Sequence, residues 1–197
     1  NPDVRYLALR DLFDLSPDDK KLKTARKSAH KEGPIAHVLS KMNEEGYWQR
    51  PGTGYGPKYK STVWALILLA QLGASVKEDK RIKQACRYYL DHALSPGGQI
   101  SAMTNNSPSG TADCIQGNML WSLMELGYND PRMDSAYEWM ARTVTGEGVA
   151  PMKEKHADVR YFAGKYGPTF ACGANNKLPC AWGGVKVLLA LSRLPAE

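Results

Sequence analysis

Cys114 and Cys180 stand in the same local pattern, Cys114-x2-Gly117 and Cys180-x2-Gly183, each at the start of an apolar run, and Cys172 lies eight residues before the second. If the two runs are neighbouring helices that begin at the same end of one array, both cysteines and the Cys172 loop converge there. Three thiols so placed suit zinc, which takes four ligands in a tetrahedron and favours thiolate and imidazole. His156 is the expected fourth ligand, with Asp113 as the alternative. Four protein ligands make a closed, structural site, whereas water in the fourth place leaves a Lewis acid. The competing reading takes the cysteines as small buried hydrophobes, as Cys86 is from its place on an apolar stripe. A Cys172 to Cys180 disulfide does not suit a cytoplasmic protein. Asp113 also has a simpler reading, as the cap of the helix that follows it.

A second group of residues could hold an anion. Gly52 to Thr62 mixes glycines, hydroxyls and two lysines, Lys58 and Lys60, ahead of an apolar helix. The free amides and positive end of that helix, with the lysines, favour a phosphate or diphosphate. The segment does not match the phosphate-binding GxxxxGK[ST] loop, and a purely structural turn accounts for the same glycines. Tyr55, Tyr59, Trp64, Trp121 and Trp182 lie on or just before apolar helices, where they either line a cavity or fill a core. His30, His37 and His92 sit singly on predicted helices, and no Ser/His/Asp arrangement emerges.

The elements that must position these groups repeat. Gly46, Gly98 and Gly148 each close an amphipathic segment, 52 and 50 residues apart, and apolar helices end at Leu72-Gly73 and Leu126-Gly127, 54 residues apart. The unit is therefore a helix pair. Leu22 to Ala29, Ile82 to Ala93 and Met133 to Val144 carry one apolar stripe at helical spacing, whereas Val63 to Leu72, Ile115 to Leu126 and Trp182 to Leu194 are apolar on most sides and must be covered all round. Apolar helices inside and one-sided helices outside predict an all-α fold, a partial α/α toroid. Asp79-Lys80-Arg81 and Asp130-Pro131-Arg132 open outer helices at equivalent places, and Asp18-Asp19 caps an earlier one. The final interval is longer than the repeat because of an irregular insertion, Lys153 to Pro179.

The 197 residues fit one domain, with 43% hydrophobic and 23% charged residues as in ordinary folded chains. The longest apolar stretch, Val63 to Ala70, falls far short of the roughly twenty residues that span a bilayer. The opening at Asn1 shows no secretory leader, so the expected location is cytoplasmic, and the missing initiator Met leaves room for a longer parent chain. The net charge of +6 gathers in Lys20, Lys21, Lys23, Arg26, Lys27, His30 and Lys31. Without a recognised nucleic-acid motif, these residues read as a solvated helix face.

The repeats and the Met42-x3-Gly46-Tyr47-Trp48 element resemble the superfamily uniting terpenoid cyclases with the β subunits of protein prenyltransferases, whose repeats close on Q-x3-G-x-W. NPDVRYLALRDL, GYGPKYKSTVWALILLAQLG and LPCAWGGVKVLLALSRLP resemble more closely a prokaryotic, prenyltransferase-like group of undefined biochemical role. The resemblance implies the toroid, with fewer helices than a full ring, so that the arc is open, closed by further residues or completed by another copy. The D-x-D-D acid of the cyclases and a D-D-x-x-D diphosphate site are absent, which excludes a complete cyclase. Prenyltransferases bind zinc through an Asp and a Cys at the start of an inner helix, and Asp113-Cys114 holds that place with different spacing. Two functions follow as expectations. One is a structural zinc site on a domain that binds a small-molecule or protein ligand. The other is a zinc-dependent, transferase-like enzyme acting on an anionic or isoprenoid-type substrate held by Lys58 and Lys60.

Overall fold

A computed structural model describes residues 1–103, 105–151, 153–156, 167–168, 170–172, 176 and 178–195. The fold is all-α. Its helices are α1 (Pro2–Leu7, prolonged by a π-helical turn, Ala8–Leu12), α2 (Lys20–Lys31), α3 (Pro34–Ser40), α4 (Thr62–Gln71), α5 (Lys80–Ala93), α6 (Asp113–Glu125), α7 (Arg132–Thr145) and α8 (Ala181–Leu191). Extended pairing among the described residues is limited to two isolated bridges, Leu94 with Ile100 and Ala171 with Pro179.

The helix ends repeat as the sequence does. Helix α4 closes on Gly73 and α6 on Gly127, both at φ 75°, the left-handed conformation that glycine adopts without a Cβ penalty. The Gly73 amide donates to Ala70 at 3.0 Å and that of Ala74 to Leu69 at 2.9 Å; the Gly127 and Tyr128 amides donate to Met124 and Leu123 at 2.9 and 3.0 Å. Helix α5 opens with the Arg81 amide on Asp79 Oδ1 at 2.9 Å, and α7 with the Arg132 amide on Asp130 Oδ1 at 3.0 Å. In both, the arginine also folds back onto that aspartate, at 2.6 and 2.7 Å. Asp19 caps α2 through the Lys21 amide at 2.7 Å.

Helix α6 lies between α4 and α8, with α5 packed on α4 and α7 on α6. One buried cluster runs from Tyr6 through Leu22, Leu66, Ile82, Leu120 and Met140 to Ala190. Helix α6 is buried on nearly every face, including Gln116, Gly117 and Asn118. Gly117 is what lets α8 approach, since a Cβ there would lie 2.4 Å from the Lys186 carbonyl oxygen.

Two sequence expectations need correction. Helix α8 is not covered all round: it buries Gly183, Val187 and Ala190 but leaves Trp182 60% and Leu188 67% exposed. Apolar composition tells what a helix can bury, not whether a neighbour is present on each side. The basic face of α2 is solvated at Lys20, Lys21, Lys23, Lys27 and Lys31, but His30 is buried. Its Nδ1 donates to the Arg26 carbonyl at 2.8 Å, and its Nε2 accepts from the Ser75 amide at 3.0 Å. With Arg26 paired to Glu78 at 2.7 Å, part of the basic cluster ties α2 to the turn between α4 and α5.

Candidate functional site

The start of α6 carries an unusual carboxylate. Ala112, extended at φ −146° and ψ 151°, is the residue that caps this helix, and Asp113 falls one position inside. The expected capping role of Asp113 is therefore wrong. Its side chain turns into the gap between α6 and the start of α8, where Gly183 leaves room for it: a Cβ on that glycine would lie 3.3 Å from Asp113 Cβ. Asp113 is 3% exposed, and neither carboxylate oxygen has a hydrogen-bond partner. Burial pushes its pKa up to about 7, offset in part by the nearby Gly167 amide.

Cys114 follows it in the chain, and Cys172 and Cys180 act on the Cys114 thiol. All four cysteines are free thiols. Phe170 to Cys172 pair with Leu178 to Cys180, the Cys172 amide on the Leu178 carbonyl at 3.2 Å and the Cys180 amide on that of Phe170 at 3.0 Å. Cys180 caps α8. Burial raises the pKa of the Cys114 thiol, and Cys172, Cys180 and Asp113 raise it further through their own negative charge. Cys172 and Cys180 are thus near enough to Cys114 to act on its charge. His156 is exposed, in the turn Lys153 to His156. Among the described residues no three His, Cys, Asp or Glu side chains stand as a ready-made metal cage. Cys86 is fully buried on α5, as expected of a core residue, and burial holds its thiol protonated.

Cys114 also lines a cavity of about 620 Å³ between α4, α6 and α8, within the roughly 300–1,000 Å³ of small-molecule sites. Its apolar wall includes Val63, Ile67, Leu68 and Ile115. Trp64 stacks obliquely on Tyr59 at 4.7 Å and Tyr55 at 5.6 Å, and its Nε1 donates to the Tyr55 carbonyl at 2.9 Å. Lys58 lies over the Tyr55 ring at 5.8 Å, and Lys186 over Trp182 at 4.7 Å. Of the aromatics expected at a cavity, Tyr55, Tyr59, Trp64 and Trp182 are there and Trp121 is not.

Sequence reasoning missed Asn118 and Lys186, which both line the cavity. Asn118 is 9% exposed with its Oδ1 unpartnered. The available signals were one of two amides amid the apolar run of α6 and the only charge on α8.

The loop before α4 behaves as a turn. The Val63 amide donates to Gly54 at 3.0 Å, those of Trp64 and Ala65 to Ser61 at 3.0 Å, and Ser61 Oγ to Pro57 at 2.9 Å. These amides are therefore not free for an anion. Of the two expected anion ligands, Lys58 reaches the cavity and Lys60 does not line it. A larger cleft of about 820 Å³ lies between α2, α3 and α5, but its Glu78 and Asp79 are already paired with Arg26 and Arg81. Comparison of the chain with protein-family models, curated proteins and solved structures finds no match.

Proposed function

We propose that this chain is a ligand-binding α/α-toroid domain of the cyclase and prenyltransferase type, in which Cys114, Cys172, Cys180 and Asp113 hold a zinc ion beside an aromatic-lined cavity. Asp113 carries the reading: a carboxylate buried without a partner, next to three free thiols. Four groups that become anionic together repel one another, and a divalent cation relieves that repulsion while completing their bonding. The donor set fits zinc, with thiolate sulfur favoured and carboxylate oxygen accepted. His156, exposed in its turn, gives way to Asp113 as fourth ligand. The alternation of buried α4 and α6 with one-sided α5 and α7 supports the toroid. The free thiols and the lack, among the described residues, of a helix long and apolar enough to cross a membrane support a cytoplasmic location.

A second reading, a zinc-dependent transferase-like enzyme, is favoured by one observation: Cys114 belongs to both the thiol corner and the cavity wall. A metal bound there with an open coordination place would supply Lewis-acid activation of a thiol or water. In that case the cavity aromatics and Lys58 would orient the substrate. Cobalt(II) titration tests both readings. The expected result is a thiolate-to-cobalt charge-transfer band that disappears in Cys180→Ser and persists in Cys86→Ser. A band absent from the unaltered chain, or unchanged in Cys180→Ser, would refute the site. A cobalt spectrum perturbed by added thiol would select the open, enzymatic form.

A further inference from the structure

The cavity walls specify a ligand more narrowly than "small molecule". On the reading of this cavity as a ligand site, we infer that its occupant is an amphiphile with a single long apolar chain and a carboxylate or phosphate head carrying one or two negative charges. The chain would lie along Ile67, Leu68 and Ile115, and the head would be held by Lys58 and Lys186.

Charge is the first argument. Among the described residues the cavity is lined by two lysines and by no Asp or Glu. Neither lysine takes part in an ion pair with a described residue, unlike the arginines at the starts of α5 and α7. Each ammonium instead rests on an aromatic face, Lys58 on Tyr55 and Lys186 on Trp182. That contact holds the cation at the cavity wall without neutralising it, leaving it able to meet an anion.

The second, independent argument is Asn118. Its amide is nine-tenths buried, it lines the same cavity, and its oxygen has no partner. Oδ1 is an acceptor that has lost water without gaining a bond, so it calls for a donor from an occupant, which the P–OH of a singly charged phosphate head supplies and a carboxylate does not. Trp64, Ile67 and Leu68 supply the apolar surface an aliphatic chain needs, and Leu68 is left 43% exposed without it.

The head is limited to one or two charges by what is missing around it. No arginine lines the described cavity, and the amides of Val63, Trp64 and Ala65 at the start of α4 are bonded within their own turn. Two lysines match a carboxylate or a phosphate monoester. They fall short of the arginine forks and free amides that bind a diphosphate tightly.

The test is quenching of the intrinsic tryptophan fluorescence, since Trp64 and Trp182 both line the cavity. The probes are decanoate, decyl phosphate, geranyl diphosphate, decanol and decylammonium, all below their micellar concentrations. Decanoate and decyl phosphate should bind at least about tenfold more tightly than decanol, and decylammonium should bind more weakly still. Raising salt should weaken decanoate and leave decanol unchanged. The preference for decanoate over decanol should shrink about three- to tenfold in Lys186→Gln and disappear in the double variant Lys58→Gln/Lys186→Gln. Lys60→Gln should leave it intact, and circular dichroism confirms that each variant is folded. Equal binding of decanol and decanoate, or a preference that survives the double variant, overturns the proposal. So does geranyl diphosphate binding more than about tenfold tighter than decyl phosphate. Zinc content measured on the same samples separates this proposal from the metal site. An anion preference without zinc would sink only the metal reading, and zinc without the preference would sink only this one.

Discussion

Gln116 and Asp113 lie one turn apart on α6, both polar and both buried, and their surroundings are opposite. Gln116 is fully enclosed and spends its whole amide: Oε1 accepts from the Ile100 amide at 2.7 Å, and Nε2 donates to the carbonyls of Gly98 at 2.9 Å and Ala136 at 3.0 Å. It joins the loop after α5 to α7. Asp113 is equally hidden and uses neither oxygen. A buried polar side chain with every bond made builds the fold, and one with none made is a cost the fold carries for another purpose. The comparison separates the framework of this helix from its site.

Replacing Gln116 by Leu should have the largest effect. It strands one amide and two carbonyls in the core, a cost of about 3–5 kcal/mol. Urea unfolding should show it, and a loss below about 1 kcal/mol would mean that the corner is less enclosed than it looks. Asp113→Asn should act in the other direction. The folded pKa of Asp113, about 7, lies above its value in the unfolded chain. The stability that Asp113 itself contributes in metal-free protein is therefore fullest below pH 4 and falls as pH rises from about 4 to 7, where the unfolded chain ionises and the folded one resists. The variant should escape this fall, ending on the order of 4 kcal/mol ahead of the unaltered protein above pH 7. Parallel pH profiles would contradict the burial argument. The smallest effect sharpens the contrast between the capping aspartates and Asp113. Asp79→Ala should cost about 1 kcal/mol through loss of the cap on α5, whereas Asp113→Ala in metal-free protein at neutral pH should not destabilise at all.

The framework was legible in the sequence because it repeats. Gly73 and Gly127, or Asp79 and Asp130, solve the same local problem at the same interval, and local solutions depend on near neighbours. That Cys172 and Cys180 come near enough to Cys114 to act on its charge was legible for a related reason, since helices that begin at the same end of an array bring their first residues together. Asp113 was misread because aspartate is favoured at a helix cap, and only the extended backbone of Ala112 shows that the cap lies one residue earlier. His30 was assigned to a solvated face because Lys27 and Lys31 flank it, while its partner at Ser75 lies 45 residues away. Asn118 and Lys186 acquire meaning only when α4, α6 and α8 enclose a space, and His156 lies exposed in its turn. All of these depend on tertiary neighbours, which spacing along the chain does not encode.

The central claim is that the unspent carboxylate and the three thiols belong to a metal. Zinc should be counted per chain in freshly purified protein, and the helical circular dichroism followed during chelation, alongside Cys180→Ser and Cys86→Ser. The account predicts close to one zinc per chain in the unaltered protein and in Cys86→Ser, little in Cys180→Ser, and reduced thermal stability on chelation. A chain that binds no zinc from a metal-replete preparation, or whose zinc content is the same in Cys180→Ser, would contradict it.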